Sequence, residues 1–280
     1  MDRPRFTGKV AMVTGAARGQ GRSHAIRLAA EGADVILCDL AADIDTVPYA
    51  LGTEDELRET AALIADLDRR TVVCRCDVRS TADLAAAVRR GLDELGRIDV
   101  LVANAGIAGV STLAEMSDDA WQNMIDVNLT GVFKTLRAVV PHMVARRYGR
   151  IVATSSIVGR QGSANIGHYV AAKWGVLGLV KSLAVEVAEH GVTVNAVCPT
   201  SVDSPMIQNE AFHRLFLPDA DEIVPSEVEA AYTALNPIPV PWLAPDDVSD
   251  AVLFLASDEA RFITGDALPV ALGWNARMAA

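Results

Sequence analysis

Three side chains within residues 154–181 have the types and spacing that proton transfer requires. Tyr169 and Lys173 are four residues apart, so on a helix they share one face, one turn from each other. Ser156 precedes the tyrosine by thirteen positions, just past the apolar run Ile151-Val152-Ala153, which reads as a short buried strand. A phenol, an ammonium and a hydroxyl can therefore converge at a strand–helix junction and form an acid/base site. A Tyr-x-x-x-Lys pair alone is a weak signal; its place on the helix after a strand ending in Ser156 strengthens it.

Such a site needs a scaffold, and the chain alternates strand and helix throughout. Strands are expected at KVAMVT (9–14), DVILCD (34–39), TVVCRCDV (71–78), IDVLVANAG (98–106), RIVATSS (150–156), VTVNAVCPT (192–200) and ALPVAL (267–272). Helices are expected from Ser23 to a C-cap at Gly32, and from an N-cap at Thr53 with Glu56 completing a capping box. Others start at Ser80 or Thr81, run long from Ser117 towards Arg146, carry Tyr169, and span 246–257. Near-continuously apolar strands between helices are the pattern of a parallel sheet covered on both faces. The fold class is therefore α/β, doubly wound. No internal repeat or linker divides the 280 residues, so 1–280 reads as one domain.

Between the first strand and helix lies Gly15-Ala16-Ala17-Arg18-Gly19-Gln20-Gly21. Gly15 permits a tight turn, while Gly19 and Gly21 let backbone amides approach a pyrophosphate at the positive end of the helix dipole. Asp39, 18 residues after Gly21, ends the second strand. There a carboxylate can accept both ribose hydroxyls of an adenosine and would repel a 2′-phosphate, which favours NAD over NADP. Arg18 beside the turn is a cation that can instead welcome a phosphate; Leu40, where a second base might stand, argues for NAD. Asp77 can meet the adenine amino group or, equally well, cap the next helix. Asn104-Ala105-Gly106 ends the fourth strand in small residues that let a cofactor lie close to backbone. Asn128 is a poor helix former in mid-helix, with Gly131 nearby, and such a residue has a reason: a kink, a water or a catalytic relay.

Two segments break the rhythm. Residues 40–52 follow Asp39 without a clear period. Residues 201–245 hold seven prolines and two short amphipathic pieces, MIQNEAFHRLFL and SEVEAAYTAL, and are longer than a connection needs. The latter is a lid over a ligand or a surface excursion; the lid is favoured, because open α/β sheets bind ligands at strand C-terminal ends. Met206, Ile207, Phe212, Leu215 and Phe216 would suit an apolar substrate of terpenoid or steroid kind.

Composition narrows the partners. An apolar fraction of 51% supports a sizeable core, and a net charge of −11 disfavours nucleic acid and anionic membranes. None of the four cysteines forms a C-x-x-C pair; Cys74 and Cys76 read as small buried hydrophobes on one strand face, so neither disulfide nor zinc is required. The charged N-terminus lacks the apolar segment of a signal peptide, and no run of 18 apolar residues exists, so a soluble, cytoplasmic protein is expected.

Taken together these residues resemble the short-chain dehydrogenase/reductase family across essentially the whole chain. The matches are TGAARGQG at 14–21, Asp77, NAG at 104–106, Asn128, Ser156 and YVAAK at 169–173, with CPTSVDSPM at 198–206 similar to the family's proline-glycine turn at the nicotinamide. The resemblance implies a Rossmann fold with a seven-stranded parallel sheet, a homotetramer and no metal. It implies a cofactor site of Gly15, Arg18, Gly19, Gln20, Gly21, Asp39, Leu40, Asp77, Val78, Asn104, Ala105, Gly106, Tyr169, Lys173, Pro199, Thr200, Val202, Ser204 and Met206. Tyr169 would exchange the proton, Lys173 would lower its pKa and hold the ribose, Ser156 would hold the substrate oxygen, and Asn128 would anchor a water leading from Lys173 to solvent. Free tyrosine ionises near pH 10, so work near neutrality takes a lowering worth about 3–4 kcal/mol. Two departures stand out: Thr200 replaces the glycine of the turn, and Ala271-Leu272-Gly273 stands where the family has Asp-Gly-Gly.

RGQGRSHA at 18–25, the segment 40–52 and PWLAPDDVS further resemble the mycofactocin-associated, carveol dehydrogenase-like branch. That likeness implies secondary-alcohol or ketone substrates, an insertion that folds over NAD and hinders its exchange, and an external electron acceptor. Two other classes compete: an NADPH-dependent reductase of 3-oxoacyl thioesters, against which Asp39 speaks, and a non-catalytic dinucleotide sensor or scaffold, which has no use for the Ser156, Tyr169 and Lys173 set.

Overall fold

The computed structural model describes residues 4–277. Seven strands form one parallel sheet: β1 (Val10–Thr14), β2 (Asp34–Asp39), β3 (Thr71–Arg75), β4 (Val100–Ala103), β5 (Gly149–Thr154), β6 (Val192–Pro199) and β7 (Ala267–Val270), in the spatial order 3-2-1-4-5-6-7. This is the expected doubly wound sheet. Its order reverses between β1 and β4, which opens a crevice at the C-terminal edge where such sheets bind ligands.

The near-continuous apolar character of the strands has a direct cause: alternate side chains enter two different cores. From β1, Val10 and Met12 face one side and Ala11 and Val13 the other; Ile36 and Cys38 against Val35 and Leu37 do the same in β2. Helices α3 (Thr81–Leu95), α5 (Gly131–Arg146) and α6 (Gly167–Val187) cover the first face, with Leu84, Leu136 and Val176 inserted. Helices α1 (Gly19–Ala30), α2 (Glu54–Ala65) and α9 (Pro245–Ala256) cover the second, with Leu28, Leu57 and Val252 inserted. Cys38, Cys74 and Cys76 are buried together in the first core, Cys76 lying just past the end of β3.

Local chemistry fixes several boundaries. Thr53 and Glu56 form the capping box of α2, and Ser117 caps α4 (Asp118–Ile125). Gly32, at φ 97°, turns the chain out of α1. That helix begins at Gly19 rather than Ser23, because the glycine-rich segment itself forms its first turn. The long helix expected from Ser117 is interrupted: a π turn at Asp126–Thr130 joins α4 to α5, with Asn128 in the middle of it.

The two irregular segments are ordered. Residues 40–52 leave β2 through Ala41 at φ 52° and cross towards the end of β4. There the backbone N–H of Ala108 donates to the Tyr49 hydroxyl at 2.9 Å, and the Asn123 amide donates to Thr46 Oγ1 at 3.2 Å. Residues 201–245 contain α7 (Glu210–Phe216) and α8 (Pro225–Leu235), the two pieces read as amphipathic. A parallel bridge, Val202 with Leu243, closes the segment at its base. Its own small core of Ile207, Phe212, Val228 and Tyr232 packs against Tyr169.

Candidate active site

At the crevice, the turn from β1 into α1 is built for close approach. Gly15 has φ 69°, and a Cβ there would lie 3.0 Å from the Ala105 Cα. A Cβ at Gly21 would lie 1.9 Å from the Gly15 carbonyl oxygen, so the turn closes only with glycine. No side chain caps the N-terminus of α1, unlike α2, α3 and α4. Its free N–H groups and positive dipole end therefore face the crevice, which is the chemistry a pyrophosphate needs.

Asp39 stands beside this turn. One carboxylate oxygen accepts from the Ala17 N–H at 2.9 Å and the other from the Ala41 N–H at 3.0 Å, which fixes the group while leaving lone pairs for two ribose hydroxyls. The chain's own residues thus fit a dinucleotide with an unphosphorylated adenosine ribose. Arg18 is not a free cation for a phosphate: its guanidinium donates to the Ala50 carbonyl and lies 3.9 Å from Glu56, tying the turn to the 40–52 segment. Asp77 does not cap α3, a role Ser80 fills; its carboxylate pairs with Arg79 at 2.8 Å.

Asn104 stitches three strand ends together. Its amide donates to the Thr14 carbonyl at 3.1 Å and its side-chain oxygen accepts from Thr154 Oγ1 at 3.2 Å. Just beyond, Lys173 is buried, and its ammonium donates to the Thr154 carbonyl at 2.8 Å. Burial lowers its pKa to about 8. A Cβ at Gly106 would sit 3.1 Å from Asn128 Oδ1 and 3.6 Å from Lys173 Nζ, so glycine there keeps the strand end against both groups.

Tyr169 lies one turn before Lys173 on α6, its ring centre 5.4 Å from Lys173 Nζ. Desolvation pushes its pKa up to about 12, while the facing Ser156 hydroxyl works in the opposite direction. The Lys173 ammonium, one turn away and expected from the sequence to favour the phenolate, is held by the Thr154 carbonyl. Ser156 sits past the end of β5 and donates to the Pro199 carbonyl over a long 3.4 Å, a weak bond that a better acceptor would displace.

The Asn128 side chain is spent elsewhere. Its Oδ1 accepts from the Ile107 N–H at 2.8 Å and its amide donates to the Ile107 carbonyl at 2.7 Å, so it clamps the loop after β4 and is fully buried. It does not line the crevice. Every expected cofactor residue does, from Gly15, Arg18, Gly19, Gln20 and Gly21 through Leu40, Val78 and Ala105 to Thr200, Val202, Ser204 and Met206. Thr200 continues from β6, its N–H donating to the Val270 carbonyl at 3.0 Å. Leu272, in place of the family's second residue, and Gly273, which keeps the third, both have positive φ, at 50° and 89°.

Several lining residues escaped the sequence reading: Tyr49, Ile166, Tyr232, Asn236 and Trp274. Tyr49, one of only four tyrosines and set in an aperiodic segment, was the one signal available; Ile166 sits at the start of α6, and the rest depend on how α8 and the C-terminal turn fold back.

This crevice and its serine, tyrosine and lysine define a dinucleotide-dependent oxidoreductase. The chain belongs to the short chain dehydrogenase family, whose model matches residues 9–214. It is 52% identical to a (-)-trans-carveol dehydrogenase of Rhodococcus erythropolis over 96% of this chain and 98% of that protein. A carveol dehydrogenase of Mycobacterium avium, solved in complex with NAD, superposes with a TM-score of 0.95 at 48% identity, covering 98% of this chain and all of the other. A short chain dehydrogenase of Mycobacterium paratuberculosis bound to NAD gives 0.89 at 34% identity, covering 97% and 99%.

Proposed function

We propose that the protein is an NAD-dependent dehydrogenase of apolar secondary alcohols, of the terpenoid size that carveol represents, and that the reaction is reversible to the ketone. The observation that carries this reading is the Ser156, Tyr169 and Lys173 cluster opening on one side to the Asp39 adenosine end and on the other to an apolar chamber under α7 and α8. Carveol dehydrogenation by a relative 52% identical over nearly the full length supports the substrate class.

Bound NAD+ supplies the hydride acceptor. Ser156 Oγ gives up its weak bond to Pro199 and donates to the substrate oxygen, favouring alkoxide character. Tyr169, as phenolate, takes the hydroxyl proton as hydride leaves the carbinol carbon. Lys173 adds a nearby positive charge and can hold a ribose hydroxyl. Asn128 clamps the loop after β4 through Ile107 and would anchor a water that links Lys173 to solvent. The α7–α8 segment acts as the lid.

Residues 40–52 would retain the cofactor, with Tyr49 latched to Ala108 and Arg18 to Ala50. Retained NAD would be reoxidised in place by an external acceptor, the mycofactocin-type arrangement. Exposed Trp121, Phe133 and Trp174 on α4, α5 and α6 support self-association, read as a homotetramer. Four free, buried thiols fit a reducing cytoplasm.

Incubation with carveol and an artificial electron acceptor tests the activity: carvone formation is expected, and none across a broad alcohol panel would revive the dinucleotide-sensor reading. A protein that yields no nucleotide on denaturation and exchanges free NAD+ within milliseconds would contradict cofactor retention.

A further inference from the structure

The substrate chamber carries polar atoms that its packing does not explain. Tyr232, on α8, is 1% exposed, and its ring packs against Phe216 at a centroid distance of 4.5 Å and against Trp242 at 5.7 Å. Those contacts ask only for a ring, which phenylalanine would supply. Its hydroxyl nevertheless has no hydrogen-bond partner among the described residues, and burial pushes its pKa up without compensation. Asn236, one turn on, does not help, because its amide donates to the carbonyls of Tyr232, Val240 and Pro241.

A second such atom is the indole N–H of Trp274, also buried and without a partner among the described residues. Both side chains line the same crevice as Tyr169, and Leu215 and Tyr169 belong to the apolar surroundings of both. Buried polar groups are ordinarily paired. Two unpaired donors on the wall of one apolar chamber are best accounted for by an acceptor that arrives with the ligand. From Pro199 to Trp274 the lining contains no charged side chain among the described residues, so a carboxylate or phosphate finds no counter-ion among them, which favours a neutral acceptor.

We propose that the Tyr232 hydroxyl, with the Trp274 N–H beside the same chamber, recognises a second, neutral oxygen of the substrate, remote from the carbinol that reacts. The substrate class is then apolar secondary alcohols bearing another hydroxyl or a carbonyl. This rests on the alcohol dehydrogenase reading above and narrows it.

Carveol and sobrerol form a matched pair: sobrerol is carveol with its isopropenyl double bond hydrated to a tertiary alcohol, which cannot itself be oxidised. The measurement is the ratio of kcat/KM for sobrerol to that for carveol, in NAD-loaded wild type and in Tyr232→Phe. The variant should lower that ratio about tenfold, through sobrerol alone, while carveol turnover stays within about twofold. Its Tm should match or exceed that of wild type, since an unpaired hydroxyl is removed. An unchanged ratio, a parallel loss on both alcohols, or a wild type that binds carveol but not sobrerol overturns the proposal. If neither alcohol is oxidised, the dehydrogenase reading fails by itself. The ratio of dissociation constants for the same pair, from calorimetry on the same two proteins, then decides the recognition on the same criterion.

Discussion

Lys173 Nζ lies 5.4 Å from the centre of the Tyr169 ring and points at the Thr154 carbonyl instead. In the protein alone, desolvation therefore dominates both groups, raising the tyrosine to about 12 and lowering the lysine to about 8. Alcohol oxidation needs Tyr169 without its proton, so the lowering is assigned to Lys173 together with the positive charge of the oxidised cofactor.

The pH dependence follows with a definite sign. Oxidation should rise with pH through the ionisation of Tyr169 in the ternary complex, and ketone reduction, which needs the protonated phenol, should fall over the same window. Replacing Lys173 by Met removes a nearby cation, and the rise should move up by about one pH unit or more. Profiles of kcat/KM for both enzymes and both directions check this; a profile unmoved in Lys173→Met would separate the lysine from the proton transfer.

Ser156→Ala removes the donor to the substrate oxygen. Turnover should drop by about 10²–10³-fold with KM changed much less, because the bond strengthens as alkoxide character develops. Steady-state kinetics with carveol measure it, and a pure KM effect would assign Ser156 to ground-state binding.

Asp39 holds two backbone amides and faces the adenosine end of the crevice. Asp39→Ala should weaken NAD+ use and relieve the repulsion of a 2′-phosphate, shifting the NAD+ to NADP+ preference by about 100-fold, or roughly 3 kcal/mol. Comparison of the two cofactors in wild type and variant reads the shift. A wild type that prefers NADP+ would revive the thioester-reductase alternative.

Tyr49→Phe deletes the hydrogen bond from the Ala108 N–H that pins the 40–52 segment. Exchange of bound NAD should speed up by about tenfold, the kinetic equivalent of a bond worth about 1.4 kcal/mol. Chase of labelled NAD by unlabelled NAD gives the rate directly, and an unchanged rate would remove the latch.

How far the sequence is legible depends on how local each feature is. The alternation of apolar strands and capped helices, the Gly15–Gly21 turn and the Tyr169–Lys173 spacing are all set within one element or its neighbour, and the structure has them as read. Asn128 stood out as a poor helix former. That it clamps Ile107 needs the packing of the π turn against the loop after β4. Asp77 reads equally well as an adenine contact or a cap of α3; that Ser80 is the cap, while Arg79 pairs with the aspartate, needs the folded loop. Tyr232 and Trp274 carry no periodic or motif signal, because their place in the chamber comes from the fold of 201–245 and the C-terminal turn. The charge of Lys173 was legible; its orientation was not.

Proton transfer by Tyr169 is the centre of the account, and Tyr169→Phe tests it most directly. The variant should retain bound NAD, fold with an unchanged far-UV spectrum, and lose carveol oxidation by about 10²–10⁴-fold in a single-turnover assay of NADH formation. A variant that reduces its bound NAD at the wild-type rate would contradict the account.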